Sequence, residues 1–474
     1  MPDAAPDFRL YPSNALDLLA ALLAEELRRP AEGAPLLAPD IVLIPQVAMR
    51  RWLQSTLAHA HGVAANLEFL TPGEFVTRAL DANPPAGASP SLDELDQAST
   101  QWRLYAALRA DLGGDPALAP LAGYLADGDP LKPWALAGEL AGVFEKYQAW
   151  RRDWLLRWEA GADPHDPQAR LWRAIAAGHG YRARRIGQYL DRFARADGPR
   201  PQGLPPRLFA FAVLNVSPDV LRVLATQARV GTLHFYLPTP TQGYWGDLQT
   251  LWQRRREGGA VALFADQVQE NPLLQAWGAA GRDFMALIGD HEVVHPLAEV
   301  AVYADPFDPA RPGLGDSLLR RMQSDLFHRR APAPVLSAPD LHDPSLQVHA
   351  CHTRLRELQV LHDQLRALLD DPRFDPPLQP REIAVLAPDI DPYVPYLDAV
   401  FGTHGSDDAL PYALADASPL ASEPLAEVFL TLLKLPIARF GLHEILDLLA
   451  SAPLAEAAAL DAAALERLRG WLHA

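Results

Sequence analysis

Residues 40–57 read DIVLIPQVAMRRWLQSTL, and the change of period inside this stretch decides the fold. Ile41-Val42-Leu43-Ile44 is a short apolar run of the kind that forms a strand buried on both faces of a parallel sheet. Past Pro45 the period lengthens. Met49, Trp52, Leu53 and Leu57 fall on one helical face, with Arg50, Arg51 and Gln54 on the other. Strand, short loop and helix make the repeating unit of an α/β sheet, and the loop is where a nucleotide-binding protein places its phosphate site. Upstream, Leu16, Leu19, Leu23 and Leu27 recur at helical spacing behind Ser13 or Asn14 as N-cap, with Asp17 in the first turn.

Working outward, the pattern is helical from about Leu92 to Arg195. Leu136, Leu140, Val143, Tyr147 and Trp150 form one expected stripe, and Leu171, Trp172 and Ile175 another. The Pro/Gly/Ala-rich stretch Asp81–Pro90 reads as an entry linker and the four-proline stretch Asp197–Pro206 as an exit. Strand character returns at Leu208–Leu214 and Leu233–Leu237, with a helix at Val220–Arg229 between them. The reading is therefore a discontinuous α/β domain over residues 1–80 and 201–330, carrying a helical insert over 81–200. A Pro-rich linker, Ala331–Pro344, precedes a second α/β domain expected over 345–423. Its strands are placed at Gln347–Cys351 and Ile383–Leu386, with a helix at Arg356–Leu369 between them. A second helical region is expected over 424–474. The sequence stops within a helical pattern, which suggests a truncated gene or fragment.

The composition fits this plan. The chain has 474 residues, 49% hydrophobic and 21% charged, enough for several buried cores. No apolar run is long enough to span a bilayer, no export signal opens the chain, and a single cysteine, Cys351, suits a reducing cytoplasmic setting. The net charge of −17 argues against wholesale coating of nucleic acid. The positive charge is nonetheless uneven: eleven arginines face six acids between Arg151 and Arg200. Lys132, Lys146 and Lys434 are the only lysines. A GC-rich genome accounts for that bias, although arginine also suits bidentate phosphate contacts.

The expected chemistry is missing from its expected places. A phosphate loop needs glycines, whose backbone amides wrap the phosphates, and a lysine that reaches the β and γ positions. No glycine lies between Gly33 and Gly62, no lysine precedes Lys132, and none of the three lysines is followed by Ser or Thr. The strand at Leu208–Leu214 runs into Asn215, where magnesium binding would call for acids. Asp389-Ile-Asp391 reads as a turn beside Pro388 and Pro392. His349, Cys351, His352 and His362 lack the spacing of a tetrahedral zinc site. No catalytic residue, metal ligand or cofactor site is expected in this chain. Two segments, Trp150-Arg151-Arg152-Asp153-Trp154 and Tyr181-Arg182-Ala183-Arg184-Arg185, combine aromatics with arginine. They are either a stacking and phosphate surface for single-stranded DNA or core anchors with solvated arginines at their flanks.

The chain resembles the RecC (gamma) subunit of bacterial exodeoxyribonuclease V, the RecBCD helicase–nuclease. The resemblance is carried by Tyr11-Pro-Ser-Asn14, Met49-Arg-Arg-Trp-Leu-Gln54, Gly62-Val-Ala-Ala-Asn66 with Phe69, and Arg151-Arg-Asp-Trp-Leu155. It continues through Tyr244-Trp-Gly-Asp247, Asn271-Pro-Leu-Leu274 with Trp277-Gly278 and Gly281-Arg-Asp283, Cys351-His352 with Arg356-Glu357 and Leu361-His-Asp363, and Leu410-Pro-Tyr-Ala413 with Asp416. Family members are considerably longer. The resemblance implies a superfamily 1 helicase-like plan with its ATPase motifs lost, in a heterotrimer whose RecB-like and RecD-like subunits use ATP and Mg²⁺. It implies a subunit that splits duplex ends, channels single strands and scans the 3′-ended strand for the Chi signal. It puts Pro45, Gln46, Val47, Arg51, Thr71, Gly142, Glu145 and Arg151 on the strand path. The DNA-binding set expected from resemblance and arginine clustering together is Gln46, Arg50, Arg51, Trp52, Glu145, Arg151, Arg182, Arg184 and Arg185. Pro45, Val47 and Thr71 depart from the pattern of the enteric members, which implies a different recognised sequence.

Overall fold

The computed structural model describes residues 7–31, 35, 37–85, 95–110, 112–195, 197–248, 270–289, 296–331, 340–402, 409–415 and 423–473. Asp416, the start of the helical pattern at Leu92, and parts of the Pro30–Pro39, Asp81–Pro90 and Ala331–Pro344 stretches lie outside the described residues. Two compact units divide the chain, Met1–Leu341 and His342–Ala474.

In the first unit, β1 (Asp7–Ser13) leads to α1 (Leu16–Leu27), β2 (Asp40–Leu43) to α2 (Val47–His61), and β3 (Leu67–Leu70) to α3 (Pro72–Ala82). The chain then forms α4 (Gln97–Leu108), α5 (Ala119–Leu125), α6 (Lys132–Trp150), α7 (Arg152–Glu159), α8 (Pro167–Ala176) and α9 (Arg182–Phe193). It rejoins the sheet with β4 (Arg207–Phe211), α10 (Pro218–Ala225) and β5 (Thr232–Pro238). Next come α11 (Pro272–Trp277), α12 (Ala279–Gly289), the short β6 (Ala298–Glu299) and α13 (Leu318–Phe327). The six strands are all parallel, in the order β3-β2-β4-β5-β1-β6.

Period-two alternation builds a core on each face of this sheet. Phe8, Leu10, Ile41, Leu43, Leu208, Ala210, Leu233, Phe235 and Leu237 face one side, where Phe75, Leu221, Leu224, Phe284 and Ile288 cover them. Tyr11, Val42, Ile44, Phe209, Phe211 and Tyr236 face the other, under Leu19, Leu23, Leu53 and Leu57. Central strands buried on both sides explain why 41–44 and 208–211 read as unbroken apolar runs. β1 is harder to read, because Arg9 and Pro12 interrupt it.

Helices α4–α9 surround a separate core in which Phe144, Trp158, Trp172 and Tyr181 are buried. The rings of Phe144 and Trp172 lie 5.2 Å apart, and those of Trp172 and Tyr181 5.0 Å apart, both edge to face. Leu171, Trp172 and Ile175 are buried as the sequence predicts. The α6 stripe is rotated by about one residue: Ala137, Leu140, Ala141, Phe144 and Gln148 are the buried positions. Gly138 and Gly142 of α6 face Gln101 and Gln97 of α4, and Trp150, expected on the inner face, turns outward.

The N-cap of α1 is Ala15, not Ser13 or Asn14, and no side chain caps it. The second unit holds α14 (Arg354–Leu369), α15 (Val394–Phe401) and α16 (Pro424–Lys434), followed by helices at Leu442–Ala450, Ala452–Ala457 and Ala462–His473. Leu358, Leu397, Phe401 and Leu410 form its small core. The strands expected at Gln347–Cys351 and Ile383–Leu386 do not form; both segments lack a ladder partner among the described residues. Val348 is 94% exposed and Leu386 90%. A strand exists only as part of a pair, which is why apolar β-formers alone did not decide these segments.

Candidate nucleic-acid interface

In a parallel sheet the loops leaving the carboxyl ends of the strands line one edge, where α/β proteins bind ligands. The β2 and β3 strands run side by side, and Ile44 N donates to Leu70 O at 2.9 Å. Gln46 and Thr71, just beyond these two residues, therefore open onto the same edge. Gln46 is the N-cap of α2 in extended conformation (φ −157°, ψ 158°), and its side chain makes no cap hydrogen bond. Pro45, Gln46, Val47, Arg50 and Arg51 are exposed, and Arg50 lies 5.9 Å from the Phe69 ring centroid. Trp52 differs from its neighbours: it is half-buried, 6.1 Å from the Phe211 ring, and belongs to the packing beneath the loop.

The N-terminus of α3 is closed by a reciprocal cap. Thr71 Oγ1 accepts from Glu74 N at 3.3 Å, and Glu74 Oε2 accepts from Thr71 N at 2.7 Å. That backbone bond, with the Thr71 hydroxyl, holds the Glu74 carboxyl below its ordinary range. Arg182 reaches the same turn, with Nη2 3.7 Å from the place a β-carbon would take at Gly73.

Arg184 and Arg185 each pair with a carboxylate, a partner that the sequence clustering did not name. Arg184 is half-buried, pairs with Glu159 and donates to His179 O at 2.8 Å. Arg185 pairs with Asp81 at 2.6 Å. These two arginines tie α9 to α7 and α3.

Arg151 occupies the corner between α6 and α7 (φ −137°, ψ 42°), where its backbone N donates to Tyr147 O at 2.8 Å. Its exposed guanidinium lies 5.6 Å from the Trp154 ring centroid. Glu145 is exposed on the last turns of α6. Next in sequence, Arg152 pairs with Asp219 at 3.3 Å. Asp219 sits in the first turn of α10, the helix that follows β4. Since β4 adjoins β2, this pair fastens the α6–α7 corner to the same edge of the sheet as Gln46 and Thr71.

An earlier strand–loop–helix, β1 to α1, precedes that of β2 and α2; the helix follows from the leucine spacing, whereas the strand was not located by apolar pattern. Its turn, Ser13-Asn14-Ala15, is the first βα connection of the sheet and carries neither glycine nor lysine. Asn14 Nδ2 donates to Ala304 O at 2.6 Å, and Ala304 N donates to Asn14 Oδ1 at 3.0 Å. Ser13 is buried, its Oγ accepts from Ala15 N at 3.1 Å, and its carbonyl accepts from Thr239 N at 2.8 Å. The polar groups of this turn are thus engaged by the protein itself. The Tyr11-Pro-Ser-Asn14 motif was the signal for it, but nothing local to it names residue 304 as the partner.

Among the described residues, no group of three or more His, Cys, Asp or Glu is arranged to hold a metal ion. Asp389 Oδ1 accepts from Asp391 N at 3.2 Å, the turn that the sequence suggested. No described helix is long and apolar enough to cross a membrane.

A wholly parallel six-stranded sheet, interrupted by an all-helical block and lined with exposed arginines along its carboxyl edge, defines an α/β protein compatible with a helicase-like fold. The chain belongs to the RecC family: residues 8–329 match the model of the RecC N-terminal domain, and residues 422–474 that of the RecBCD enzyme subunit RecC fourth domain. It is 32% identical to RecBCD enzyme subunit RecC of Escherichia coli strain K12, over 98% of this chain and 44% of that protein. It is 28% identical to the Haemophilus influenzae subunit, over 98% of this chain and 46% of that one. The Mycolicibacterium smegmatis subunit is also 28% identical, over 92% and 39% respectively. The chain thus spans less than half the length of these relatives.

Proposed function

We propose that this chain is a non-catalytic DNA-binding subunit of a RecBCD-type exodeoxyribonuclease V. In this reading it splits duplex ends, channels the separated strands and scans the 3′-ended strand for a Chi-like signal during double-strand break repair. RecB-like and RecD-like partners carry the ATP- and Mg²⁺-dependent steps. The proposed domain plan is that of a superfamily 1 helicase with its ATPase motifs lost: residues 1–80 with 201–330, an insert over 81–200, a further region over 345–423 in whose described residues the expected strands do not form, and a second insert from 424.

The observation that carries this reading is the first βα turn of the sheet. Where a motor would wrap phosphates in glycine amides, Asn14 is clamped onto Ala304 and no lysine is within reach in sequence. The exposed and half-buried groups along the carboxyl edge then have a passive role. Arg50, Arg51, Arg151 and Arg182 contact phosphates without regard to sequence. Gln46 offers a donor and an acceptor to a base edge, and Glu145 accepts from the amino group of cytosine. Trp52, Arg184 and Arg185 support this surface from behind.

A basal ATPase assay on the chain, alongside salt-titrated binding to single-stranded and forked oligonucleotides, tests the proposal. The expected result is no turnover of nucleotide and binding that weakens steeply with salt. Nucleotide turnover by the chain alone would return it to the motors, and absence of DNA binding at low salt would make it a scaffold.

A further inference from the structure

The strand path proposed above is built of charged and amide side chains, yet the corner that carries Arg151 also exposes two large aromatic side chains. Trp150 is 49% exposed and Trp154 37%. A tryptophan on a protein surface forgoes a large burial gain, so two of them flanking one arginine call for a ligand. Their support is rigid. Tyr147 and Trp154 rings lie 5.5 Å apart, Trp154 and Trp158 rings 6.3 Å apart, and Trp158 is buried with Nε1 donating to Asp163 Oδ2 at 3.0 Å. Tyr147 is fixed in turn by its hydroxyl, which donates to Gln168 Oε1 at 3.0 Å. The aromatic column is therefore anchored in the core of the helical block at Trp158 and opens to solvent at Trp154.

We infer that Trp150 and Trp154 form a base-stacking subsite that receives unstacked nucleobases of a single strand, while Arg151 between them holds the adjoining phosphate. The inference rests on the DNA-binding reading and adds to it the residues that hold bases splayed apart. The chemistry is that of sequence-tolerant single-strand sites, in which aromatic faces accept any base and arginine follows the backbone. Neither ring belongs to the buried core of the helical block, where Leu155 and Trp158 fill the corner.

Stacking and phosphate contact respond differently to salt, and this separates them. With the full chain and a fluorescent oligothymidylate, Trp150→Ala and Trp154→Ala should each weaken binding about tenfold while leaving the slope of log affinity against log salt unchanged. Arg151→Ala should weaken binding and make that slope shallower by about 0.7, the value for one phosphate on a single strand. An oligonucleotide of abasic sites should bind the natural chain as weakly as the natural oligonucleotide binds the tryptophan variants, with no further loss when the two are combined. Because Trp154 also packs on Tyr147, Trp154→Phe serves as the fold-preserving control and should keep most of the affinity. Natural affinity in both alanine variants, or equal affinity for abasic and natural oligonucleotides, would overturn the stacking subsite while leaving DNA binding intact. Absence of binding to any oligonucleotide would overturn both readings, and the two failures are thereby distinct.

Discussion

At the scale of single residues, the strongest physical constraint is a polar seam running through the sheet. His234 is 1% exposed on β5, with Nδ1 3.2 Å from the Tyr11 hydroxyl. Burial, reinforced by the positive charges of Arg9 and Arg207, pushes its pKa down to about 4. The folded state therefore refuses a proton that the unfolded chain binds near pH 6.5. Stability is at its full value above pH 6.5 and falls as the pH drops from there to about 4, by about 3 kcal/mol over that window. Urea unfolding at pH 7 and pH 4.5 should show this loss in the natural chain and a smaller one in His234→Gln. Nearby, the nearly buried Arg207 makes two bonds to Asp40, at 2.6 and 2.7 Å, and donates to Glu26 O at 3.2 Å near the end of α1. Asp40→Ala should cost about 3 kcal/mol, because it strands that guanidinium, whereas Asp40→Leu combined with Arg207→Met should recover much of the loss. Thermal unfolding of the two variants beside the natural chain measures the difference.

At the scale of elements, close approach explains the Asn271–Asp283 motif. Asn271 caps α11, its Oδ1 accepting from Leu273 N and Leu274 N, and its Nδ2 donates to Arg330 O at 2.9 Å. Trp245 is buried beside α11 and α12, and a β-carbon at Gly281 would lie 2.6 Å from its ring. At Gly278 it would meet Leu274 O at 2.3 Å. Glycine is thus demanded by the tryptophan of the Tyr244-Trp-Gly-Asp247 segment, which joins two motifs that sequence could only set side by side. Gly281→Ala should lower stability by about 2 kcal/mol through overpacking, with a blue-to-red shift in tryptophan emission as Trp245 is displaced. The α3 cap belongs to the same scale. Thr71→Ala should cost about 1 kcal/mol, while Thr71→Ser, which keeps the acceptor, should cost little by the same thermal measurement.

At the scale of the whole molecule, residues 1–341 contain the six-stranded parallel sheet with a core on each face, together with the helical block and its own core. A chain ending at residue 341 should therefore unfold cooperatively by calorimetry and bind single strands with the salt dependence of the 474-residue protein. A featureless thermogram would show that the first unit depends on the second. The net charge of −17 makes the arginine-lined edge a local exception in an acidic molecule. Its contacts are accordingly expected to act at short range, since salt screens anything longer.

How much of this was legible depends on whether the deciding contacts are local. The apolar runs at 41–44 and 208–211 and the helical faces of 47–61 and 167–176 follow from periodicity, because burial on one or both faces imprints itself on neighbouring residues. The absence of a glycine–lysine phosphate loop was equally plain in the residue order. By contrast, the sequence marked Arg184 and Arg185 as surface cations, and their partners Glu159 and Asp81 lie 25 and 104 positions away. The one-residue rotation of α6, which turns Trp150 outward, goes with its packing against α4. The clamp of Asn14 on residue 304 joins positions 290 apart. The order of residues by itself determined the alternation of strands and helices and the absence of a Gly-Lys-Ser/Thr pattern, because these are properties of short segments. Only the tertiary structure decided which arginines face solvent, which apolar segments pair into strands and what fills the first βα turn, because each depends on a partner that local sequence does not name.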